Sequence, residues 1–447
     1  MRGQLPNQNQ GNLFSTPLKQ LLNPEHPLYQ LAEQIDWSVF EQQFAGLYSS
    51  TGRPAHPVRL MVGLLILKQL DDLGDETVVA KWVENPYYQY FCGMDVFQWR
   101  GPIDPSDLVY FRKRIGSEGA ELIFKVSTQL HGKDALEDEV TVDSTVQSKA
   151  ISYPTDAKLH KRIIEYCWRI AKAEGIKLRQ SYKRTVKKHM RNQHNAQHPK
   201  RRKGAKKALK KLRTITGRLV RDVVRNLPEA QLEHYAPLLA IFEQIINQQQ
   251  KDSNKIYSVH APEVSCIAKG KAHPKYEFGS KATLMQAKKS GVIVAAQAFQ
   301  GNPYDGHTVL DTLLQYFRIH GKLPKAAIGD RGFRAPKTVL GVQIISPDKP
   351  SKDKSAYQKR KARTRFRRRA AIEPCIGHLK AQFGLDKNWL RGAQGDQINL
   401  LLAAAAYNLK KWMNHLPDSS FGALIAWAMM RLLKLQQPKP RIAWAVL

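Results

Sequence analysis

Residues 366–380, which read FRRRAAIEPCIGHLK, place one acidic side chain at the centre of a strongly basic segment. Arg369 lies four residues before Glu373, while Phe366 and Lys380 lie seven residues before it and seven after it. At about 3.6 residues per turn these spacings predict one shared helical face, with a kink at the proline that follows the glutamate. A carboxylate between an arginine and a lysine suits a site that binds both a metal ion and a phosphate group.

Two further carboxylates follow segments that have the character of strands. The stretch EVTVD alternates polar and apolar residues and ends in Asp143, and the apolar stretch AAIGD ends in Asp330. Two adjacent parallel strands would place these aspartates side by side at one sheet edge, and a helix packed across the sheet would bring Glu373 to them. Three oxygen ligands from three elements suit magnesium, and a pair of such ions suits in-line displacement at phosphorus.

Each of these acids also has a simpler interpretation when it is taken alone. An aspartate at a strand end usually forms a turn or caps a helix, and Glu373 would form an ordinary helical ion pair with Arg369. The order strand-Asp, hairpin, strand-Asp, basic helix-Glu is rarer by chance, and it is the order that a ribonuclease-H-like α/β fold requires. Residues 281–287 and 292–299, joined by the turn KKSG, predict the hairpin.

The rest of the chain divides by composition. The first 25 residues are rich in Gln, Asn and Pro and are predicted to be loosely ordered. Residues 26–132 predict several short helices, which suit a helix-turn-helix-like DNA-binding region or, with equal weight, a plain helical packing domain. We expect the catalytic α/β domain at 133–415 and a C-terminal helix and tail at 416–447. The predicted elements that bear on these assignments are helices at 59–73, 76–83, 104–115, 310–317, 400–412 and 421–433, and a strand at 342–346.

The charge of the chain is concentrated in one segment. Lys and Arg number 71 against 38 Asp and Glu, a formal net charge of +33. Residues 151–225 carry 24 of these cations and only four acids, within a predicted helical insertion at about 151–255. A solvated helix face is the usual interpretation of a charge run, but this concentration favours contact with nucleic acid. The cations assigned to that contact are Arg201, Arg202, Lys206, Lys207 and Lys210.

Other classes of protein fit less well. No uninterrupted apolar run approaches the roughly 20 residues that a membrane span needs, so a membrane partner is not expected. The four cysteines are widely scattered and form no CxxC pair, which argues against a zinc site or a disulfide framework and favours a reducing cytoplasm. Three histidines, His189, His194 and His198, are assigned to the basic surface. Four tryptophans, Trp82, Trp99, Trp389 and Trp412, are assigned to the core.

With these residues in view, the chain resembles the DDE transposases of bacterial insertion sequences, in particular the insertion-sequence-five group, which is related to the insertion-sequence-four-like superfamily. The resemblance covers about residues 26–412. Its most specific part is a signature of Tyr, two residues, Arg, three residues, Glu, six residues and Lys, which Arg369, Glu373 and Lys380 match. Phe366 stands at the tyrosine position, so the ring is kept and the hydroxyl is lost. The segments at 142–159, 271–284 and 301–309 are also similar to this group.

The resemblance implies an enzyme that binds terminal inverted repeats, cuts DNA there and joins the 3′-hydroxyl ends to target DNA. It implies two magnesium ions, with manganese as a substitute, double-stranded DNA as partner, a homodimer or larger assembly on DNA, and a bacterial cytoplasmic, nucleoid-associated location. The residues implied as catalytic metal ligands are Asp143, Asp330 and Glu373; those implied at the DNA are Phe366, Arg369, Lys380 and Arg331.

Three alternatives stay open at this point. A nuclease of the same fold would cut without strand transfer, and a non-catalytic DNA-binding derivative would keep the charge without needing the acids. Asp305 and His307, in the stretch NPYDGH, lie either near the metal ions or in a structured turn, and we favour the turn.

Overall fold

The N-terminal region is helical, as predicted. A computed structural model describes residue 3 and residues 16–49, 51–52, 54–268, 275–333, 336–347 and 355–416. Asp104 caps the longest N-terminal helix by accepting a hydrogen bond from the Ser106 N–H (2.8 Å). The predicted end at residue 115 coincides with a kink, because Gly116 has a non-helical backbone (φ 60°, ψ −160°), and a second helical segment continues beyond it to Gln129. The helices are α1 (Leu18–Leu21), α2 (Pro27–Gln34), α3 (Ser38–Phe44), α4 (Val58–Leu70), α5 (Asp75–Glu84), α6 (Pro86–Phe91) and α7 (Pro105–Gln129).

The prediction of a loosely ordered N-terminus is wrong for the part that the structure describes. Residues 18–21 form α1, and Leu18 is fully buried in the same hydrophobic core as α2 to α7. The apolar side chains within the Gln/Asn-rich stretch account for this, because burial of one leucine stabilises by roughly 2 kcal/mol. Apart from residue 3, residues 1–15 lie outside the described part of the chain.

The centre of the molecule is a mixed sheet of seven strands. Strand β1 runs antiparallel to β3 on one side and parallel to β5 on the other, while β5 also runs parallel to β7. The hairpin predicted around KKSG is confirmed as β3 and β4, although β3 begins at Tyr276. The strands are β1 (Glu139–Ser148), β2 (Ser265–Ala268), β3 (Tyr276–Ala287), β4 (Ile293–Phe299), β5 (Ala326–Ile328), β6 (Thr338–Val339) and β7 (Val342–Ile345), in the order β2-β3-β1-β5-β7-β6 with β4 on the outer edge of β3.

The basic segment folds as a helical insertion between β1 and β2 with a hydrophobic core of its own. Its helices are α8 (Asp156–Ala173), α9 (Lys183–Arg191), α10 (Pro199–Asn226) and α11 (Glu229–Asn247). Ile163, Leu212 and Phe242, from three of these helices, are fully buried together. The insertion is therefore packed around apolar side chains that point inward, and its cations lie on the outside.

The helix predicted to carry the signature is interrupted. Four helices complete the described chain: α12 (Asp305–His320), α13 (Ala356–Arg369), α14 (Ile372–Gln382) and α15 (Gly392–His415). The break falls at residues 370–371, before Pro374, so the predicted continuous face through 366–380 is wrong. Proline is tolerated in the first turn of a helix, where its missing N–H has no partner to lose, and Pro374 therefore lies just inside the new helix rather than at a kink. The helix predicted at 421–433 lies outside the described residues.

A buried polar network fixes the C-terminal end of β1 to the start of α15. The ammonium of Lys149 lies 3.1 Å from Oε1 of Glu263 and forms a second, shorter ion pair with Asp396. Nδ2 of Asn388 donates to Oδ1 of Asp396 at 2.6 Å, and the Gly392 N–H donates to Glu263 at 2.8 Å. We call Lys149, Glu263, Asn388 and Asp396 the buried network.

Two remaining predictions concern the surface. Trp82 is fully buried and Trp412 is partly buried, but Trp99 and Trp389 are 83% and 73% exposed, so their assignment to the core is wrong. The described helices include none with both the length and the apolar character needed to cross a membrane.

Candidate active site

Asp143 on β1 lies close to Asp330, which follows the end of the neighbouring parallel strand β5 by two residues. In the pairing of β1 with β5, Thr141 is opposite Ile328, and continuing this register by two residues sets Asp143 opposite Asp330. The sequence predicts that Asp143 ends its strand. This prediction is wrong, because β1 continues for five more residues to Ser148. The expected juxtaposition of the two aspartates on adjacent parallel strands is nevertheless present.

The backbone after β5 holds the Asp330 carboxylate in place. Oδ1 of Asp330 accepts hydrogen bonds from the N–H groups of Gly332 (2.7 Å) and Phe333 (3.2 Å). The ring of Phe333 is buried beneath the sheet, where it anchors this turn in the core. A side chain at Gly329 would meet Phe333 at 2.7 Å, so the sequence GDRGF requires its first glycine for the tight turn.

A third carboxylate, from Asp305, faces the same turn. A Cβ added at Gly332 would lie 2.9 Å from Oδ1 of Asp330 and 3.4 Å from Oδ2 of Asp305. Asp305 opens α12 and accepts from the ammonium of Lys281 at 2.8 Å, while the same ammonium donates to the carbonyl of Pro303. The turn favoured from the sequence is therefore a helix start, and Asp305 lies near Asp330.

Glu373 reaches this region through an arginine. Nη2 of Arg369 lies 3.3 Å from Oε1 of Glu373, and Nη1 of the same guanidinium lies 3.7 Å from Oδ2 of Asp143. The side chain of Arg369 is only 18% exposed, whereas that of Glu373 is 63% exposed in the first turn of α14. The helical ion pair considered from the sequence is present, and it joins Glu373 to the first aspartate.

The charges of this cluster act on one another. The pKa of Asp143 is raised to about 6; burial is the largest cause and the carboxylates of Asp330 and Glu373 add to it, while the Ser144 N–H and Arg369 act in the opposite direction. A buried carboxylate beside two others is disfavoured in its charged form. A cation placed among these acids would remove that penalty, which makes the cluster a candidate site for a metal ion.

The other residues implied at the DNA, Phe366, Lys380 and Arg331, have different surroundings. Phe366 is partly buried on α13, and Nζ of Lys380 on α14 lies 3.6 Å from Oε2 of Glu277. Arg331 is exposed in the turn that follows Asp330. Arg331 is therefore open to a ligand beside the acids, whereas Lys380 already has a carboxylate partner in this structure.

Comparison with known proteins places the chain in a family. Residues 16–114 match the family described as "Transposase domain (DUF772)", and residues 248–409 match "Transposase DDE domain". An uncharacterized protein, ORF8 in the nfe locus of Rhizobium meliloti, is 45% identical over 194 residues, which is 42% of this chain and 93% of that protein. No solved structure matches the chain.

The chain belongs to the DDE transposases of insertion sequences. The match to the DDE domain includes Asp330 and Glu373, while β1 with Asp143 precedes it and is separated from it by α8–α11. Members of this family are transposases, and they generally use divalent metal ions.

The donor set of this transposase suits a divalent ion held by few protein ligands. Magnesium keeps several waters and is usually bound through one or two carboxylates together with phosphate oxygens. The Asp143 and Asp330 pair, with the space left by the missing Cβ at Gly332, fits that requirement. Within the described ranges no group of three His, Cys, Asp or Glu side chains is arranged to hold one ion, and Glu373 is paired with Arg369.

The cations assigned to DNA contact on the insertion all lie on the outside of one helix. Arg201, Arg202, Lys206, Lys207 and Lys210 are exposed on the first half of α10. Ala205, Ala208 and Leu212 form its buried face. His198 serves a structural purpose, because its Nδ1 accepts from the Lys200 N–H at 3.3 Å and caps this helix.

Sequence reasoning underestimated one part of the site, the pair formed by Lys281 and Asp305. The predicted strand begins at residue 281, whereas Lys281 lies in the middle of β3 and is only 9% exposed. The available signal was a cation at the start of the predicted strand KATLMQA, because an ammonium that becomes buried needs a carboxylate partner.

Proposed function

We propose that this transposase binds the terminal inverted repeats of its own element, cleaves DNA there and joins the 3′-hydroxyl ends to target DNA. The main support is one observation: Asp143 on β1 lies beside Asp330, which follows the adjacent parallel strand β5, and Arg369 connects Asp143 to Glu373. Paired carboxylates, a phosphate-binding arginine and an excess of basic surface are the parts that phosphoryl transfer on DNA requires.

The sheet supports a ribonuclease-H-like assignment for the catalytic domain, which we place at residues 133–415. Its strands run in the order β4-β3-β1-β5-β7. Strand β3 pairs antiparallel with both β4 and β1, whereas β5 pairs parallel with both β1 and β7. Such an arrangement puts the first acid on the central strand and the second acid beside it. The third acid then comes from a helix near the C-terminal end of the domain.

Asp143, Asp330 and Glu373 would hold two magnesium ions in this assignment, with manganese as a substitute. A bound ion of this kind lowers the pKa of a coordinated water or hydroxyl and stabilises charge that develops on the phosphate. The contribution of the protein is to position the carboxylates: the Asp330 turn is fixed by two backbone N–H groups, and Asp143 is fixed by the pairing of β1 with β3, where it lies opposite Leu284.

Arg369 has two tasks in this account. In the structure its guanidinium neutralises part of the charge on Asp143 and Glu373. Once a divalent cation neutralises those acids, the planar fork of Arg369 is available to a DNA phosphate, which it fits in a bidentate manner. Arg331, exposed beside Asp330, would contact the same strand.

DNA recognition is assigned to two other regions. The helical region at 26–132 would read the inverted repeat, although α4 is buried along almost its whole length and belongs to the packing side of that region. The exposed cations of α10 would contact the phosphate backbone. Because an element has two ends, we propose a homodimer or larger assembly on DNA.

A strand-transfer assay tests this function. Labelled duplexes that end in the inverted repeat flanking the coding sequence are incubated with the protein, a circular target plasmid and magnesium. Joined products that carry the label are the expected result. Cutting without joining would identify a nuclease, and binding with neither cutting nor joining would identify a non-catalytic derivative.

A further inference from the structure

A small pocket on the insertion is lined by arginines from two separate segments. Arg218, Arg221 and Arg225 lie on one face of α10, since they are spaced by three and four residues, and Arg179 comes from the loop that precedes α9. The ring of Tyr182 closes one side of a cavity of about 270 Å³. We call these five residues the arginine pocket.

One buried carboxylate holds the pocket together without neutralising it. Asp222, which is 7% exposed, accepts a hydrogen bond from the backbone N–H of Arg179 at 2.9 Å, and this contact joins the loop to α10. Within the described chain none of the four arginines has a carboxylate within 4.0 Å of its guanidinium. The pocket therefore keeps a surplus of exposed positive charge around one cavity.

The backbone beside the pocket is held in an unfavourable conformation. Tyr182 has a φ of 53°, in the left-handed region that aromatic residues seldom adopt. The indole N–H of Trp168 donates to the carbonyl of Ser181 at 2.8 Å, and Nη1 of Arg218 donates to the Tyr182 hydroxyl at 3.5 Å. These contacts hold the tyrosine against the arginines, at the start of a helix whose first N–H groups have no side-chain cap.

We propose that the arginine pocket binds a phosphate of the DNA backbone, outside the set of cations assigned to DNA from the sequence. Guanidinium forks pair with phosphate oxygens in a bidentate way, and a helix N-terminus adds unpaired N–H donors. This inference rests on the proposed function, because it specifies where the helical insertion of the transposase contacts its DNA substrate.

The shape of α10 favours a DNA phosphate over a free one. Lys203, Lys207, Lys211, Arg218 and Arg225 recur at intervals of four and seven residues, so one exposed stripe of cations runs along the helix. From the first to the last of these, a rise of 1.5 Å per residue gives about 33 Å. One turn of B-DNA is about 34 Å long, so the two ends of the stripe match phosphates one turn apart.

The test compares two arginines of the same helix. Arg218→Ala removes a pocket residue, and Arg213→Ala removes another exposed arginine of the same helix that lies off the cationic stripe. Fluorescence anisotropy measures the affinity for a duplex of about three turns at salt concentrations between about 50 and 200 mM. Arg218→Ala is expected to weaken binding several-fold for every sequence and to reduce the slope of log affinity against log salt by about 0.9, whereas Arg213→Ala leaves the slope close to that of the parent protein.

Further variants and ligands separate the possible outcomes. Arg218→Lys keeps the point charge and should keep the slope while losing part of the affinity. Equal slopes for Arg218→Ala and Arg213→Ala, with both variants folded by circular dichroism, would overturn the inference and leave the proposed function standing. A parent protein that binds no duplex would overturn both. Saturable stabilisation by inorganic pyrophosphate that Arg218→Ala abolishes, with unchanged DNA binding, would assign the pocket to a free phosphate and overturn the assignment to DNA.

Discussion

Two clusters of carboxylates and cations lie along β1, and they differ in how they are closed. In the buried network at the end of the strand, the side chains of Lys149 and Asp396 are 4% and 2% exposed, and each carboxylate receives both an ion pair and further hydrogen bonds. In the cluster around Asp143, Glu373 is 63% exposed, and one arginine serves two acids.

The difference separates a structural cluster from a chemical one. Charges that only hold elements together are sealed and matched, because a buried ion without partners is strongly destabilising. Charges that receive a ligand stay accessible and incompletely neutralised, and the raised pKa of Asp143, caused first by burial, reflects that. We call the cluster around Asp143 the open cluster and the buried network the sealed cluster. Substitutions that remove acids from the open cluster, or the cation from the sealed cluster, test this difference.

The largest effect is expected from the acids of the open cluster. Replacing Asp143, Asp330 or Glu373 by Ala should reduce magnesium-dependent DNA cleavage by at least about 10³-fold, more than the loss of one electrostatic contact at an active site. DNA affinity should change little, because the basic surface is intact. Gel assays of cleavage, with anisotropy as the binding control, measure both, and full activity in any of the three variants would remove that residue from the site.

The sealed cluster should respond in stability instead. Lys149→Met leaves Asp396 and Glu263 buried without their cation, and a loss of about 3–5 kcal/mol in the free energy of unfolding is expected. Lys325→Ala is the matched control, since its ion pair with Asp138 is exposed and should contribute less than about 1 kcal/mol. Urea unfolding compares the two variants. Equal losses in the free energy of unfolding would show that the buried network does not stabilise the fold more than an exposed ion pair does.

An intermediate effect is expected at Lys281, a buried cation whose carboxylate partner, Asp305, lies near Asp330. Lys281→Met leaves Asp305 without its partner beside Asp330, and residues that orient metal ligands typically contribute about 10–100-fold to affinity or activity. The magnesium concentration for half-maximal cleavage should rise accordingly. Lys288→Met, which breaks the ion pair of another half-buried lysine with Glu139, should leave that concentration unchanged; identical behaviour of the two variants would contradict a role at the site.

The smallest effect is a gain in stability. Because the folded-state pKa of Asp143 is raised to about 6, ionisation of this group lowers stability as pH rises from about 4 to 6, and the penalty persists above that range. Asp143→Asn should therefore stabilise the metal-free protein by on the order of 2 kcal/mol at pH 8 and by little near pH 4. Thermal melts at both pH values test this, and a variant less stable than the parent at pH 8 would contradict it.

The order of elements could be predicted from the sequence, but several details of the site could not. The β3–β4 hairpin and β5 follow from alternation and turn residues, and the parallel pairing of β1 with β5 follows from their separation along the chain. The continuation of β1 was missed because its last residues are polar. Gln147 is fully buried there and donates to the carbonyl of Asp396 at 3.0 Å, a contact that only the tertiary fold reveals.

The break between α13 and α14 was missed for a related reason. Residues 370–371 are both alanine, which favours a continuous helix, so local preference did not predict the interruption. Packing decides it: Ile372 and Cys375 are buried in the N-terminal core, whereas α13 is rich in arginine. The link between Arg369 and Glu373 survives the break, and for that reason the spacing in the sequence still identified the pair.

Manganese binding to the open cluster is the sharpest test of Asp143 and Asp330 as metal ligands. Electron paramagnetic resonance of the protein with a duplex that carries the inverted repeat counts the bound ions as manganese is added. We expect saturable binding in the parent protein, loss of that binding when Asp143 and Asp330 are both changed to Asn, and retention of it in Lys325→Ala. Unchanged manganese binding in the doubly substituted protein would contradict the assignment of these aspartates as metal ligands.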